Sequence, residues 1–283
     1  MGGSVVEGIF WRSGTRSVGV AAALTLLALA LGACSSKSKD EYEERDVSTL
    51  YNIAGNYVDD GEYRNGAVAF DEVERQHPYS AWARRAQLMS AYSYYMANKY
   101  EDAILAAERF LALHPGNKDA PYAYYLIAMC YYEQISDVGR DQKMTEQALN
   151  ALGEVVRRFP QSDYAQDARL KIELTHDHLA GKEMEIGRFY QRTTEHLGAA
   201  IRFRTVVEKY PTTTHAPEAL HRMVESYLAL GMIEEAQAAG AVLGANYPGS
   251  KWYKHSYALL TNTKLQAAPS ERSWFGQMWD TIF

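Results

Sequence analysis

The sequence repeats one short pattern five times, and a proline closes each copy. Each proline ends a segment whose apolar residues recur at helical spacing. Because proline lacks a backbone donor and restricts the residue before it, a helix ends at each of these points. The five prolines are Pro78, Pro115, Pro160, Pro211 and Pro248. A fixed helical repeat of this kind predicts similar units that stack and share a continuous core.

A tyrosine stands at one fixed position of every copy, and small residues stand at two others. The tyrosine lies 21 residues before the proline in four copies and 29 before it in the third, which carries an eight-residue insertion. The tyrosines are Tyr57, Tyr94, Tyr131, Tyr190 and Tyr227. The small residues are Gly66, Ala103, Ala148, Ala199 and Ala236, twelve before each proline, and Ala54, Ala91, Ala128, Gly187 and Val224, three before each tyrosine. They let two antiparallel helices approach closely, with Gly61, Asn98 and Gly231 in the turn between them.

These offsets resemble the tetratricopeptide repeat, although the tryptophan expected at the start of that repeat is absent. The resemblance implies an all-α fold, a tetratricopeptide-like α-solenoid of five helical hairpins; an irregular helical bundle is the alternative. Residues 136–143 of the third copy are expected to form a loop between its helices. An extra apolar stretch, 164–179, is expected to join 184–190 in one long helix that is broken or strained near Gly181. This helix would divide front repeats 1–3 (47–162) from rear repeats 4–5 (163–264).

The first 33 residues have the layout of a secretory signal peptide. Arg12 and Arg16 precede an apolar run over 18–31, which is too short to span a bilayer comfortably. The run ends in Leu-Gly-Ala-Cys, which resembles the lipobox of bacterial lipoproteins. That resemblance implies lipid attachment at Cys34, a polar tether over 34–46, and, since Ser35 follows, sorting to the periplasmic face of the outer membrane. The alternative is an ordinary cleaved leader.

Charge and motif content argue against nucleic acid and against catalysis. The formal net charge of −6 does not suit phosphate binding. A glycine-rich phosphate loop, a nucleophile elbow and a CxxC pair are all missing, so we expect neither enzyme activity nor a cofactor. Two E-x-x-H segments, Glu173–His176 and Glu218–His221, have the spacing of di-iron bundles, but the repeats assign them to separate hairpins. Cys130, in an apolar helical stretch, is expected to be buried and inert.

The first helices of the front repeats are rich in tyrosine on one face. Residues one turn from the repeat tyrosine are expected to line the groove of the stack: Tyr51, Tyr92, Tyr95, Tyr122, Tyr125 and Tyr132, with Val58 and Met129. Tyrosine combines broad apolar contact with a hydroxyl for peptide backbone, so this face suits an extended segment rich in aromatic residues. The alternative is that these rings belong to the core between repeats. A clamp of Lys and Asn around a peptide carboxylate is not expected here.

Two further segments are candidates for partner docking. Arg202 and Arg204 are expected on the outer face of the second helix of repeat 4. Residues 265–283 carry large apolar residues at helical spacing, including Trp274 and Trp279. An amphipathic aromatic stripe that cannot bury itself predicts contact with a partner or a bilayer interface; packing back onto the repeats is the alternative.

Residues 137–142, 157–165 and 177–180, together with the lipobox and the five repeats, resemble the BamD family of outer-membrane β-barrel assembly lipoproteins. The resemblance implies a periplasmic scaffold without enzyme activity. Its partners would be the periplasmic domains of a β-barrel insertase, smaller lipoproteins of the machinery, and unfolded outer-membrane proteins recognised by their C-terminal strand. Arg202, nine residues before Pro211, matches the basic residue of the family in that region, so the resemblance implies a docking role for it; the neighbouring Arg204 is the alternative. The alternative is an envelope-integrity or cell-division adaptor of the Tol-Pal type. Such an adaptor has a coiled-coil segment before its repeats, which this sequence lacks, and it has no lipobox.

Overall fold

The computed structural model describes residues 44–262, and the compact unit that contains the repeats begins at Asp46. The described residues form eleven α-helices and no strand. The helices are α1 (Val47–Asp59), α2 (Tyr63–Gln76), α3 (Ala81–Met96), α4 (Tyr100–Leu113), α5 (Ala120–Tyr132), α6 (Lys143–Arg158), α7 (Asp163–Arg192), α8 (His196–Lys209), α9 (Ala216–Ala229), α10 (Ile233–Asn246) and α11 (Lys251–Asn262). None of the helices within 44–262 has both the length and the apolarity needed to cross a membrane.

Each helix packs against the next one along the chain, which is the contact pattern of a helical solenoid. The five predicted hairpins are α1–α2, α3–α4, α5–α6, the second half of α7 with α8, and α9–α10. Helix α11 packs on both α9 and α10 and covers the last hairpin. The predicted all-α, tetratricopeptide-like solenoid is therefore confirmed.

The prolines end the second helix of every hairpin, as predicted. The residue before each proline is the C-cap, and its φ lies between −130° and −135° in all five copies. Its backbone N–H donates to a carbonyl one turn back, for example from His77 to Val73 at 3.0 Å. The next helix then begins: the Ser80 hydroxyl accepts from the Ala83 N–H at 3.0 Å, and Ser162 caps α7 in the same way.

The small residues of each copy lie where its two helices touch. A Cβ added to Gly66 would come within 2.8 Å of the Val58 Cγ2, so a larger residue would displace the Val58 side chain. All five residues twelve before a proline are buried, and those seven further on are among the most buried side chains of the core: Val73, Phe110, Val155, Val206 and Leu243. The spacing thus sets both the close contact and the filling of the space beyond it.

Residues with positive φ form the tight turns inside the hairpins. Gly61, Asn98 and Gly231 have φ of 78°, 56° and 74°, as their position four after the tyrosine predicts. Thr194 occupies the same position in repeat 4 with φ of 65°. Repeat 4 therefore uses the same turn without the residue type that signals it.

The third hairpin has a longer connection, and α7 is continuous. The connection covers 133–142, and Lys143, which was expected in the loop, begins α6. The expected interruption near Gly181 is wrong, because α7 runs for 30 residues without a break. Gly181 is instead a point of close contact: a Cβ there would lie 3.4 Å from both Val138 Cγ1 and His215 Nε2. Two connecting loops therefore pack against the middle of α7.

Candidate functional site

The first helices of the front repeats lie side by side. Helix α1 contacts α3, α3 contacts α5, and α5 contacts the N-terminal half of α7. One side of the front repeats is therefore built from four neighbouring helices. The six predicted tyrosines lie on the first three of these helices and are all partly buried. We call them the tyrosine surface: Tyr51, Tyr92, Tyr95, Tyr122, Tyr125 and Tyr132.

The structure brings these tyrosines together through apolar clusters that span adjacent repeats. Tyr92, Tyr95 and Tyr122 pack around one cluster, and Tyr125 and Tyr132 around the next. Tyr164 of α7 joins the two, because its ring centroid lies 5.6 Å from that of Tyr122 and 5.2 Å from that of Tyr125. Each of these rings is therefore partly buried in the core between repeats and partly accessible to solvent.

Two hydroxyls of the tyrosine surface are fixed by carboxylates. The Tyr125 hydroxyl donates to Asp167 Oδ2 at 2.5 Å, and the Tyr95 hydroxyl donates to Glu133 Oε1 at 3.4 Å. Burial raises the pKa of Tyr95 to about 12, and the charge of Glu133 acts in the same direction. Burial, and then the hydrogen bond to Asp167, also raise the pKa of Tyr125. Both hydroxyls therefore stay neutral, and because each donates its proton to a carboxylate, each can accept a hydrogen bond from a peptide N–H.

A depression of about 620 Å³ lies between the start of α3 and the start of α5. Tyr51 and Tyr122 line it together with Leu88 and Met89, which gives it an apolar floor. The ring centroid of Tyr51 lies 5.2 Å from that of Phe70 and 4.8 Å from that of Trp82, so Tyr51 also belongs to the core of the first repeat. The rim carries three exposed basic residues and one acid: Arg84, Arg85, Lys118 and Asp119.

A second depression, of about 340 Å³, lies at the other end of the tyrosine surface. Tyr132, Ile135 and Leu174 are among its lining residues. The Lys171 ammonium lies 5.2 Å from the centre of the Tyr132 ring, within cation–π range. Leu170 and Leu174 are 67% and 59% exposed on adjacent turns of α7. The aromatic surface therefore continues into an aliphatic stretch of α7.

The two arginines predicted on the outer face of the rear repeats are both half-buried and engaged. Arg202 Nη1 lies 3.1 Å from Glu183 Oε2 of α7, and Arg204 hydrogen bonds with Tyr227. The large apolar residues exposed on α8 are Leu197 and Ile201, one turn apart. Cys34, Trp274 and Trp279 lie outside the described residues.

The glutamates of the two E-x-x-H segments form a hydrogen bond or an ion pair with neighbouring side chains. Glu173 accepts from Thr212 Oγ1 at 3.0 Å, and Glu218 Oε1 lies 3.3 Å from Arg188 Nη1. Between residues 44 and 262 no group of three or more His, Cys, Asp or Glu could hold a metal ion. Cys130 is fully buried, as predicted, and burial raises its pKa to about 12.

Sequence reasoning missed part of this surface. The apolar spacing of 164–179 predicts part of one long helix that divides the front repeats from the rear repeats, and it does not place Tyr164 and Asp167 beside the tyrosine surface. Helix α7 acts there as the first helix of another unit, which its periodicity could have shown. Arg84, Arg85 and Lys118 carry no sequence signal, since exposed basic residues on helices are common.

A family model described as "YfiO: Outer membrane lipoprotein" matches residues 43–243. The chain belongs to the YfiO family. Among curated relatives of this YfiO-family chain, the outer membrane protein assembly factor BamD of Caulobacter vibrioides is 51% identical over 252 residues, which is 88% of this chain and 83% of the relative. BamD of Rickettsia prowazekii is 44% identical over 240 residues, 85% of this chain and 96% of the relative.

Solved structures similar to this YfiO-family chain include tetratricopeptide-repeat proteins. A thermophilic TPR protein of Thermus thermophilus has a TM-score of 0.35 and 19% identity, covering 77% of this chain and all of its own. The TPR domain of P58(IPK) has a TM-score of 0.39 and 14% identity, covering 87% of this chain and 60% of its own.

Proposed function

We propose that this protein is a lipid-anchored assembly factor for outer membrane proteins that acts as a scaffold without catalysing a reaction. The family and the names of its curated relatives support the general role. In the finer proposal, the tyrosine surface holds unfolded outer-membrane proteins by their C-terminal strand. The rear repeats dock the periplasmic domains of the β-barrel insertase and work beside smaller lipoproteins of the machinery.

The observation that carries the substrate proposal is the continuous row of half-buried tyrosines across three repeats and α7. Rings held in place by the core lose little conformational entropy when a ligand binds. Their exposed faces match the alternate aromatic side chains of an extended strand, and their neutral hydroxyls match its backbone. A strand that alternates large apolar residues presents them on one side, which suits a surface with repeated aromatic contacts.

Peptide binding tests this proposal directly. Replacing Tyr92 or Tyr125 with Ala removes a central aromatic contact, and each change should weaken binding of a peptide that ends in Phe by about tenfold. Tyr257→Ala is the matched control, because Tyr257 is exposed on α11, away from the front repeats. Tyr125→Phe keeps the ring and removes the hydroxyl, so it separates the two contributions. Fluorescence anisotropy gives the affinities, and unchanged affinity in the two Ala variants would refute the substrate proposal.

The docking proposal concerns Arg202 and Arg204 on α8, with Trp274 and Trp279 in the segment that follows the repeats. Arg202 already pairs with Glu183, so a partner carboxylate would share or replace that contact. Arg202→Glu should reduce co-purification with the insertase. The exchange Arg202→Glu with Glu183→Arg restores the internal pair, and it should remain defective if Arg202 contacts the partner. Recovery of co-purification in the exchanged variant would show a structural role only.

The anchor proposal concerns Cys34. Mass spectrometry of the protein extracted from membranes should show a diacylated N-terminal Cys34, and Cys34→Ser should move the protein from the membrane fraction to the periplasmic extract. An unmodified Cys34 in the membrane-extracted protein would contradict the anchor.

A further inference from the structure

The front repeats have two edges, defined by the two kinds of turn. Consecutive helices are antiparallel because short connections join helices that pack together. The connections within the front hairpins therefore lie at one edge, which we call the hairpin edge: 60–62, 97–99 and 133–142. The connections that contain the prolines lie at the other, the proline edge: 77–80, 114–119 and 159–162.

The second helices of the front hairpins carry opposite charges at these two edges. At the hairpin edge, two of them have acids in the first turn: Glu101 and Asp102 in α4, and Glu146 in α6. At the proline edge, two of them have bases in the last turn: Arg75 in α2, and Arg157 and Arg158 in α6. Compensation of the helix dipole explains this arrangement when one helix is considered by itself.

The first helices show that the helix dipole is not the whole cause in the front repeats. They run in the opposite direction, so dipole compensation would put acids at the proline edge and bases at the hairpin edge. Helices α1, α3 and α5 have no acid in the first turn and no base in the last turn. Helix α3 instead carries Arg84 and Arg85 within five residues of its start, both exposed at the proline edge. Dipole compensation therefore does not explain these two arginines.

The segment from Cys34 enters the solenoid at this same edge. Helix α1 begins at Val47, and the Tyr51 and Trp82 rings, 4.8 Å apart, place the starts of α1 and α3 side by side. Residues 34–46 could span at most about 40 Å when fully extended. An acyl chain on Cys34 would therefore hold the proline edge of the first repeats within about 40 Å of the bilayer. The hairpin edge is about 20 Å from the proline edge, the length of α1, so the tether alone allows either edge to face the lipid and the side chains at the edge decide the orientation.

An unusual aromatic residue lies at the proline edge. Tyr79 follows Pro78 and is fully exposed. The residues after the other four repeat prolines are Gly116, Gln161, Thr212 and Gly249, which are small or polar. A tyrosine exposed in this way gains nothing from the core, whereas tyrosine is favoured at the interface between lipid headgroups and water.

We propose that the proline edge of repeats 1 and 2 binds an anionic phospholipid surface through Arg84, Arg85 and Lys118, with Tyr79 inserted at the headgroup level. This inference rests on the anchor in the proposed function. Guanidinium groups donate paired hydrogen bonds to phosphate oxygens, and cationic side chains concentrate near an anionic leaflet. The acidic hairpin edge is repelled by the same surface. Together these forces fix the orientation of the repeats relative to the bilayer.

Vesicle flotation tests the proposal with residues 34–283 carrying Cys34→Ser, so that no acyl chain contributes. The protein should bind vesicles of phosphatidylethanolamine and phosphatidylglycerol more tightly than vesicles of phosphatidylcholine, and salt should weaken the binding. Arg84→Glu with Arg85→Glu should weaken it by more than about tenfold. The matched control is Arg64→Glu with Lys99→Glu, which changes the net charge equally at exposed sites of the hairpin edge and should have little effect.

A second variant, Tyr79→Ser, changes no charge and no core contact, and it should weaken binding while the melting temperature stays unchanged. Equal losses in the two double variants would overturn the proposal, because net charge alone would then explain binding. If the variant with both arginines replaced bound vesicles as before but bound a peptide with a free carboxylate more weakly, the arginines would belong to the peptide-binding site instead. Failure of the anchor would appear as an unmodified Cys34 in mass spectrometry, and failure of the tyrosine surface would appear only in peptide affinity, so each proposal fails separately.

Discussion

Gly187 of α7 allows a close contact that can be tested with a single methyl group. A Cβ at this position would lie 2.5 Å from Phe203 Cε1 and 2.8 Å from its Cδ1 and Cζ. Ordinary carbon–carbon contacts are about 3.5–4.0 Å, so the ring would have to move by about 1 Å. Phe203 is fully buried in the rear core beside Met184, Leu220 and Met223, and this leaves little room for the movement.

The expected effect of Gly187→Ala is the sum of two opposing contributions. Overpacking a filled core costs about 1–3 kcal/mol, whereas alanine in place of glycine in a helix gains about 1 kcal/mol. Gly153→Ala in α6 is the matched control, because a Cβ there meets nothing within 4 Å and only the gain remains. The two variants should therefore differ by about 1–3 kcal/mol, or about 3–10 °C in melting temperature.

Thermal and urea unfolding of residues 34–283 followed by circular dichroism would measure this difference. Combining Gly187→Ala with Phe203→Leu should cost less than the sum of the two single changes, because the smaller side chain relieves the contact. If Gly187→Ala stabilised the protein as much as Gly153→Ala, the close packing of α7 on α8 would be refuted.

Three further predictions concern the turns, the rear polar network and the buried thiol. Thr194→Gly should raise stability by about 1 kcal/mol, since a positive φ strains threonine and does not strain glycine; an unchanged melting temperature would contradict this. Burial alone would raise the pKa of Glu225, but hydrogen bonds from His221 and Gln191 and the charge of Arg222 lower it to about 2. Its stabilisation should therefore be complete above about pH 5 and be lost as the pH falls towards 2, and Glu225→Gln should flatten that part of the stability profile. Cys130 should resist a thiol reagent at pH 8 in the folded Cys34→Ser protein and react in denaturant, because burial raises its pKa to about 12; rapid labelling of the folded protein would contradict the packing around it.

The sequence predicted the features that depend on short-range geometry. Helix ends at the repeat prolines, turns at Gly61 and Asn98, and close contacts at Gly66 follow from the properties of single residues at fixed spacing. Features that depend on long-range contact could not be predicted in this way. Gly181 suggested a break because glycine weakens a helix, whereas its role is set by Val138 and His215, which lie far from it in the sequence.

The candidate site shows the same division. The periodicity of the first helices predicted which tyrosines share a face, because a helix places them at a regular angle. It could not predict that Tyr164 joins Tyr122 and Tyr125, since that contact depends on how α7 packs against α5. The pairing of Arg202 with Glu183 could not be predicted either, because the sequence does not distinguish these two residues from ordinary surface charges.

The 30-residue helix α7 has a practical consequence for dissecting this protein. Its first half supplies Tyr164 and Asp167 to the tyrosine surface, and its second half supplies Gly187 to the contact with Phe203. A recombinant fragment that stops at residue 162 would expose Leu152 and Val155 to solvent. A fragment that starts there would carry the first half of α7 without the helices against which that half packs. Truncations meant to isolate either activity should therefore keep all of α7, and complementary pieces that overlap along it are the ones to express.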